Sequence, residues 1–487
     1  MKKILLLFIV GLTGCSSFLD EDPKGQILGD NAINTVKGLD AALTGTYKGL
    51  LRTWSRGFLT NGSLQGTTAG GDDLTTLPDG NKEKWRELDQ FEVNDQNPHI
   101  AQIWNGCYKT IQGANNVIIN SVKTEGDPAQ IGQIVGEAYF LRGLSYYWLV
   151  RSFGRVPLIT QLEFTEDLLT VGLSEETAIY EAIEADLVQA EALLANAKRD
   201  PGRPNKGSAK ALLADVYLTQ GGWPIKNASK YAMAAAKAKE VIDHKADYGF
   251  DLVDELTTLW PGAAYSIGTS EEVISFHTSA NFGGSVNAFW GDSGRPGESG
   301  GWDDYFAEVT FFNNFPEGKR KDATFLTAWR NNATGTMIQW QDSNAKHPYF
   351  KKFSLVEPIW ASGMPVHIMR YAHVLLIYAE AKARSGSVDE QAYTAVNLVR
   401  ERAGLAPLAG LTVDAFAKAI VDERGWEFAG EWSRWFDLVR LEMVEEANSH
   451  KAANDLKPTG VITKADYRFP IPGAEVMINP NLADEGD

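Results

Sequence analysis

"KGSAKALLADVYLTQGGWPIKNASKYAMAAAKAKEVIDH" (206–244) decides the fold class. Its apolar residues recur at three-and-four spacing over 206–219 and again over 227–244, which predicts two helices joined as a hairpin. Alanines sit where the two helices must pack closely. A second stretch, 366–385 followed by 389–403, reads the same way. Both fit a unit of roughly 34 to 40 residues, the tetratricopeptide-like spacing. One such pair cannot bury its apolar face alone, so pairs stack on neighbours. A helical bundle with short loops fits the same period, and the period alone does not separate the two.

Helical stripes dominate the chain on either side. They cover 31–54, 98–121, 128–153, 175–197 and 413–447. Ser174, Pro98, Pro128 and Thr412 stand as start signals. Two regions break the pattern. Residues 55–96 are rich in Gly, Asp, Asn and Thr. Residues 247–365 carry few long stripes, many aromatics and the loop "WGDSGRPGESGGWDDYF" (290–306). Long irregular segments inside a compact domain are usually functional or disordered, and Trp85, Trp260, Phe289, Trp290, Trp302 and Tyr305 argue against disorder. The expected architecture is mainly α, with helix pairs scaffolding an irregular, loop-rich half. The expected division is a helical part over 31–245, a loop-rich insert over 246–365 and a second helical part over 366–487, all in one domain.

The amino terminus addresses location. Lys2-Lys3, an apolar run over 4–12 and Thr13-Gly14-Cys15 form a secretory signal. The run is too short to span a bilayer, which takes about 20 residues. Leu12-Thr13-Gly14-Cys15 matches a bacterial lipobox, in which cleavage at 1–14 leaves Cys15 lipidated and 15–30 as a tether. Removal of Lys2 and Lys3 moves the formal charge from −17 to −19. So acidic a chain disfavours nucleic acid, which is held by basic patches. Cys107 is then the sole remaining cysteine, which excludes an intramolecular disulfide. Its apolar surroundings predict a buried, inert thiol.

The residues offer little for catalysis or metal binding. There is no HExxH motif, P-loop, GxGxxG or EF-hand loop. "GGDDL" (70–74) could lend carboxylates to calcium, although adjacent acids are ordinary in solvated loops; no other cofactor is suggested. Residues 297–301 match GxSxG, but the preceding Gly- and Pro-rich run cannot be the strand that a nucleophile elbow needs. In "ERGWEFAGEWSRWFDLVR" (423–440), Glu423, Glu427 and Glu431 recur at i, i+4 and i+8, which would place them on one helix face. Arg424, Arg434 and Arg440 would tie them to neighbouring elements as bidentate pairs.

That last segment also carries a resemblance. "AVNLVRERAGLAPL" (395–408), "AIVDERGWEFAGEWSRWFDLVR" (419–440) and "YRFPIPGAEVMINPNL" (467–482) resemble the SusD/RagB family. So do "RYAHVLLIYAEAKARSG" (370–386), "IWNGCYKTIQGANNVI" (103–118), "GEAYFLRGLSYYWLVRSFGRVPLI" (136–159), "GRPNKGSAKALLADVYL" (202–218) and "CSSFLDEDP" (15–23). The match covers essentially the whole chain in order. It departs at Gly425-Trp426, where the family more often has a second basic residue followed by an acid. The resemblance implies an outer-membrane lipoprotein of Bacteroidetes-type bacteria, displayed on the cell surface without catalytic activity. It would bind a nutrient oligosaccharide and sit as a lid on a SusC-like TonB-dependent transporter. Peptide capture for the same kind of transporter is the alternative within the family; a surface hydrolase is a different class for which no motif is present.

Sugar rings present apolar CH faces edged by hydroxyls, so a site needs aromatics on loops with polar neighbours. Trp290 and Trp302 are the candidate stacking platforms, with Tyr305 behind them. Arg295 and Asp292 are candidates for hydroxyl contacts, and Trp85 and Asp73 would contribute from the first irregular region.

Overall fold

A computed structural model of the chain describes residues 33–50, 62–160, 165–262, 266–277, 290–355 and 363–483. The leader, Cys15, the tether, Phe289 and the side chain of Trp290 lie outside this description.

The amino-terminal scaffold is a run of helices, each packed on the next: α1 (Val36–Leu50), α2 (Pro98–Asn120), α3 (Pro128–Phe153), α4 (Glu176–Leu193), α5 (Lys206–Gly221) and α6 (Ser229–Asp243). α2 and α3 start alike. The side chains of Asn97 and Asp127 accept from the amides of His99 and Ala129, and a proline at the first helical position forfeits an amide that has no helical partner anyway. Ser174 does not cap α4; its hydroxyl accepts from the Leu158 amide. α3 is the central post, buried almost without a break from Ile134 to Phe153 and touching α1, α2 and α4. Between α5 and α6 the facing residues are small: Ala211 and Ala214 on one, Ala234, Ala235 and Ala238 on the other, all buried.

α7 (Tyr371–Arg384) packs directly on α6, and α8 (Glu390–Arg402) and α9 (Val413–Glu427) pack on α7. The hairpins α5/α6 and α7/α8 are therefore spatial neighbours, with the insert looped out between them. This side-by-side stacking of pairs is tetratricopeptide-like. One apolar core runs from Leu39 to Leu482. No helix among the described residues is long and apolar enough to cross a membrane.

Two expected helices are corrected. Residues 366–385 are not helical throughout: Val366–Arg370 is a strand, antiparallel to Glu272–Phe276 through a bulged register. A short apolar run carries no period that separates strand from helix, and here the pairing partner decided it. Residues 413–447 are not one helix either. α9 ends at Glu427, Gly430 and Trp432 take left-handed backbone (φ 73° and 51°), and α10 (Arg434–Arg440) begins anew. A Cβ on Gly430 would stand 2.8 Å from the Phe350 ring. Glu431 therefore lies in a turn and not on the face shared by Glu423 and Glu427.

Those acids anchor a buried ion network. Arg370 reaches Glu431 with two bonds (2.8 and 3.0 Å), Glu271 (2.7 Å) and Glu427 (3.0 Å). Arg320 and Lys352 come in from the insert, and Arg402 from α8. Burial alone would raise the Glu427 pKa; the cations of Arg402, Arg370 and Arg320 overcome it and hold the carboxyl far below its ordinary value. A second knot joins Arg440 to Glu380 (2.7 Å twice) and Arg424 to Asp437 (2.8 and 3.0 Å). The charged face thus ties α7, α9, α10 and the insert together through bidentate pairs, as its residue types led one to expect.

The insert holds its own small cluster of Phe306, Trp329, Ala345 and Tyr349. Leu74–Thr75 pairs with Phe306–Ala307, so the two irregular regions meet in space.

Candidate functional site

The loop 290–306 is cross-braced from within. The Trp302 amide donates to the Asp292 carbonyl (2.8 Å), Asp304 to Ser293 (3.0 Å) and Gly301 to Pro296 (3.0 Å). Asp303, at φ 54°, accepts from the Gly297 amide (2.6 Å) and from the Tyr349 hydroxyl. Gly301 is required where it stands, since a Cβ there would fall 2.0 Å from the Arg295 carbonyl oxygen. Lys82 pins the loop to the first irregular region by donating to the Trp302 carbonyl and pairing with Asp304.

This bracing leaves Trp302 and Arg295 half-buried at the surface. Arg295 Nε donates to the Ser354 carbonyl (3.0 Å) at the edge of an open cleft of about 490 Å³. Pro296, Ser299, Leu326, Trp329, Arg330 and Asn332 line the rest. The cleft mixes an apolar floor with amide, hydroxyl and guanidinium groups. A second opening of about 520 Å³ continues from it across Leu326 and Ala328, which border both.

The other candidates fall in the interior. Tyr305 is 1% exposed and stacks on Trp85 at 5.9 Å; Trp85, 6% exposed, also meets His99 at 4.8 Å. Asp292 is fully buried. Asp73 is buried with one oxygen on the Gly430 amide (2.9 Å), and burial, only partly offset by that bond, pushes its carboxyl up to about 6. These four brace the site from behind and offer a ligand no face. Trp290 opens the short helical turn Trp290–Ser293 that packs on Lys351–Ser354.

Asp72 and Asp73, the acids considered for calcium, are committed to protein partners: Asp72 takes two bonds from Arg434 (2.6 and 2.7 Å). Among the described residues no cluster of three or more His, Cys, Asp or Glu is placed to hold a metal. Ser299, the centre of the GxSxG match, lies in a 3₁₀ turn and donates to the Arg330 carbonyl. Cys107 is fully buried, and burial raises its thiol pKa.

Residues 204–484 match the family model described as "SusD family". The chain belongs to the SusD family. Residues 17–218 match a second model, described as "Starch-binding associating with outer membrane". This SusD-family chain is 29% identical to the SusD-like protein P2 of Formosa agariphila, over 99% of both chains. Its fold is similar to the crystal structure of a SusD superfamily protein from Parabacteroides distasonis, at a TM-score of 0.79 and 26% identity over 93% of this chain and 99% of that one. A laminarin-binding SusD-like protein has the same fold, at a TM-score of 0.73 and 24% identity over 91% and 97%.

Arg330, Asn332 and Ser354 were not singled out by the sequence. Arg330 precedes, and Asn332 lies within, the "NNATG" turn (331–335) that joins Ala328–Arg330 to Met337–Gln339. That turn was the available signal, but only the fold brings it beside loop 290–306.

Proposed function

We propose that this SusD-family chain is a surface-exposed, lipid-anchored outer-membrane protein that binds a nutrient glycan without catalysis and passes it to a SusC-like TonB-dependent transporter. The observation that carries the glycan reading is a rigid loop that keeps Trp302 half-buried at the surface and sets Arg295 on the edge of an open, polar-edged cleft. A half-buried ring at the surface and an apolar cleft floor suit the CH face of a sugar, and Arg295, Ser299 and Asn332 suit its hydroxyls. The starch-binding description of the family model and the laminarin-binding relative support the same class of ligand. The lipobox at Cys15 and that model's outer-membrane association support the location. The proposed ligand contacts are Trp302, Arg295 and Trp290.

Native gel electrophoresis of residues 16–487 through gels containing plant, host and microbial polysaccharides tests the reading. Retardation in at least one gel, abolished by Trp302→Ala, supports it. No retardation by any glycan, together with binding of proteolytic peptides, would replace it with peptide capture.

A further inference from the structure

A second polar site lies away from the surface cleft, at the junction of α3, α5, α7, α9 and α10. Here a cavity of about 40 Å³ is lined by Arg151, Asp215, His373, Arg424, Ser433 and Arg440, among others. That volume holds more than one water-sized body, since about 10–15 Å³ suffices for one.

The groups left over at this cavity are donors. The Asp437 carboxylate is saturated by Arg424 Nε and Nη2 and by Arg440 Nε and Nη2. Arg424 is 3% exposed, yet its Nη1 has no acceptor among the described residues. His373 is 6% exposed; its Nδ1 accepts from the Arg370 amide (3.0 Å), which fixes the neutral tautomer with hydrogen on Nε2, and Nε2 likewise has no acceptor. Ser433 Oγ is a third buried atom without a partner among the described residues. Burial and the charges of Arg370 and Arg424 keep the His373 ring neutral.

The local charges do not cancel. Arg151, Arg424 and Arg440 line the cavity, and Arg384 joins them through Glu380 (2.6 Å). Against these four cations stand Asp215, Asp437 and Glu380. One positive charge is in excess; Arg151 and Arg384 are only half-buried, but Arg424 and Arg440 are buried, where a charge short of acceptors is costly. Asp215 accepts from the Tyr147 hydroxyl (2.9 Å), and Arg151 is sandwiched between the Tyr147 and Phe436 rings (3.8 and 4.1 Å).

Converging donors and a single surplus positive charge call for an occupant that only accepts hydrogen bonds and carries one negative charge. We infer that this cavity is a binding site for one small monovalent anion of halide size, held by Arg424 Nη1, His373 Nε2 and Ser433 Oγ. The anion ties α7, α9 and the start of α10 together, under a roof of α3 and α5 residues. It is independent of the glycan cleft.

Crystals grown in sodium bromide, with data collected at the bromine edge, test this on the unaltered protein. An anomalous peak in the cavity, within hydrogen-bonding distance of Arg424 and His373, is expected. Water density alone, with no bromide peak, would overturn the inference. In solution, the melting temperature should rise with chloride over gluconate at equal ionic strength. Ser433→Ala should reduce that rise; this hydroxyl makes no capping bond, so the variant retains α10. An identical melting temperature in both salts would also overturn it.

Discussion

Arg370→Met tests whether the buried ion network holds the insert against the helical scaffold. The guanidinium is completely buried and makes five hydrogen bonds, to Glu271, Glu427 and Glu431. Methionine matches its stem but donates nothing. Glu271, Glu427 and Glu431 would remain buried, facing only Arg320, Arg402 and Lys352. Removing one partner from a buried pair costs about 3–5 kcal/mol, because the surviving charge stays desolvated. Since Arg370 serves three acids, the upper end of that range is expected. Lys418→Met is the matched control: Lys418 pairs with Asp422 at 2.8 Å on an exposed helix surface, where such pairs contribute less than about 0.5 kcal/mol. Urea unfolding followed by tryptophan fluorescence reads both, with equal slopes required for the comparison. Arg370→Lys should recover less than half of the loss, because an ammonium cannot reproduce the two-pronged contact with Glu431. A loss below about 1 kcal/mol in Arg370→Met would refute the network as a structural tie.

Asp73→Asn should stabilise the protein relative to wild type more at pH 7.5 than at pH 5. With its carboxyl raised to about 6, the folded state binds more protons between the ordinary value and 6, so wild-type stability falls as pH rises there. The amide does not titrate, and the difference should grow by about 1.4 kcal/mol between pH 5 and pH 7.5. In the opposite sense, Glu427, Glu431 and Asp437 are lowered, and Glu380 sits at about 2, because the pull of nearby arginines outweighs burial. Their contribution is complete above the ordinary carboxylate range and is lost as pH falls below about 4; melting temperatures between pH 4 and 2 should drop steeply, and a flat profile would contradict this. Cys107 should resist a thiol reagent in buffer and react stoichiometrically in urea; rapid native labelling would place it at the surface.

The helical scaffold was legible because each helix carries its own period and start signal: Pro98 and Pro128 mark their helices within one residue. The hairpin at 206–244 announced the stacking. What failed depended on distant partners. Val366–Arg370 became a strand because Glu272–Phe276 lies beside it, nearly a hundred residues earlier. The 413–447 stripe broke at Gly430 and Trp432, where Phe350 from the insert crowds the backbone. At the candidate site, composition pointed to loop 290–306 but could not tell which of its side chains face solvent. Trp302 and Arg295 remained near the surface, while Tyr305 and Asp292, equally attractive by residue type, turned inward to pack on Trp85 and to lie beneath the loop. Cross-bracing by Asp303, Tyr349 and Lys82 decided this, and no local pattern records it.

The most direct test of glycan capture at loop 290–306 is calorimetric titration of a retarding oligosaccharide into wild type, Trp302→Ala and Trp426→Ala. Trp426 is equally half-buried but belongs to α9 and not to loop 290–306. Loss of a stacking ring costs about 1–2 kcal/mol, so Trp302→Ala should weaken binding roughly tenfold or more. Trp426→Ala should bind like wild type. Unchanged affinity in Trp302→Ala would contradict the placement of the site on this loop.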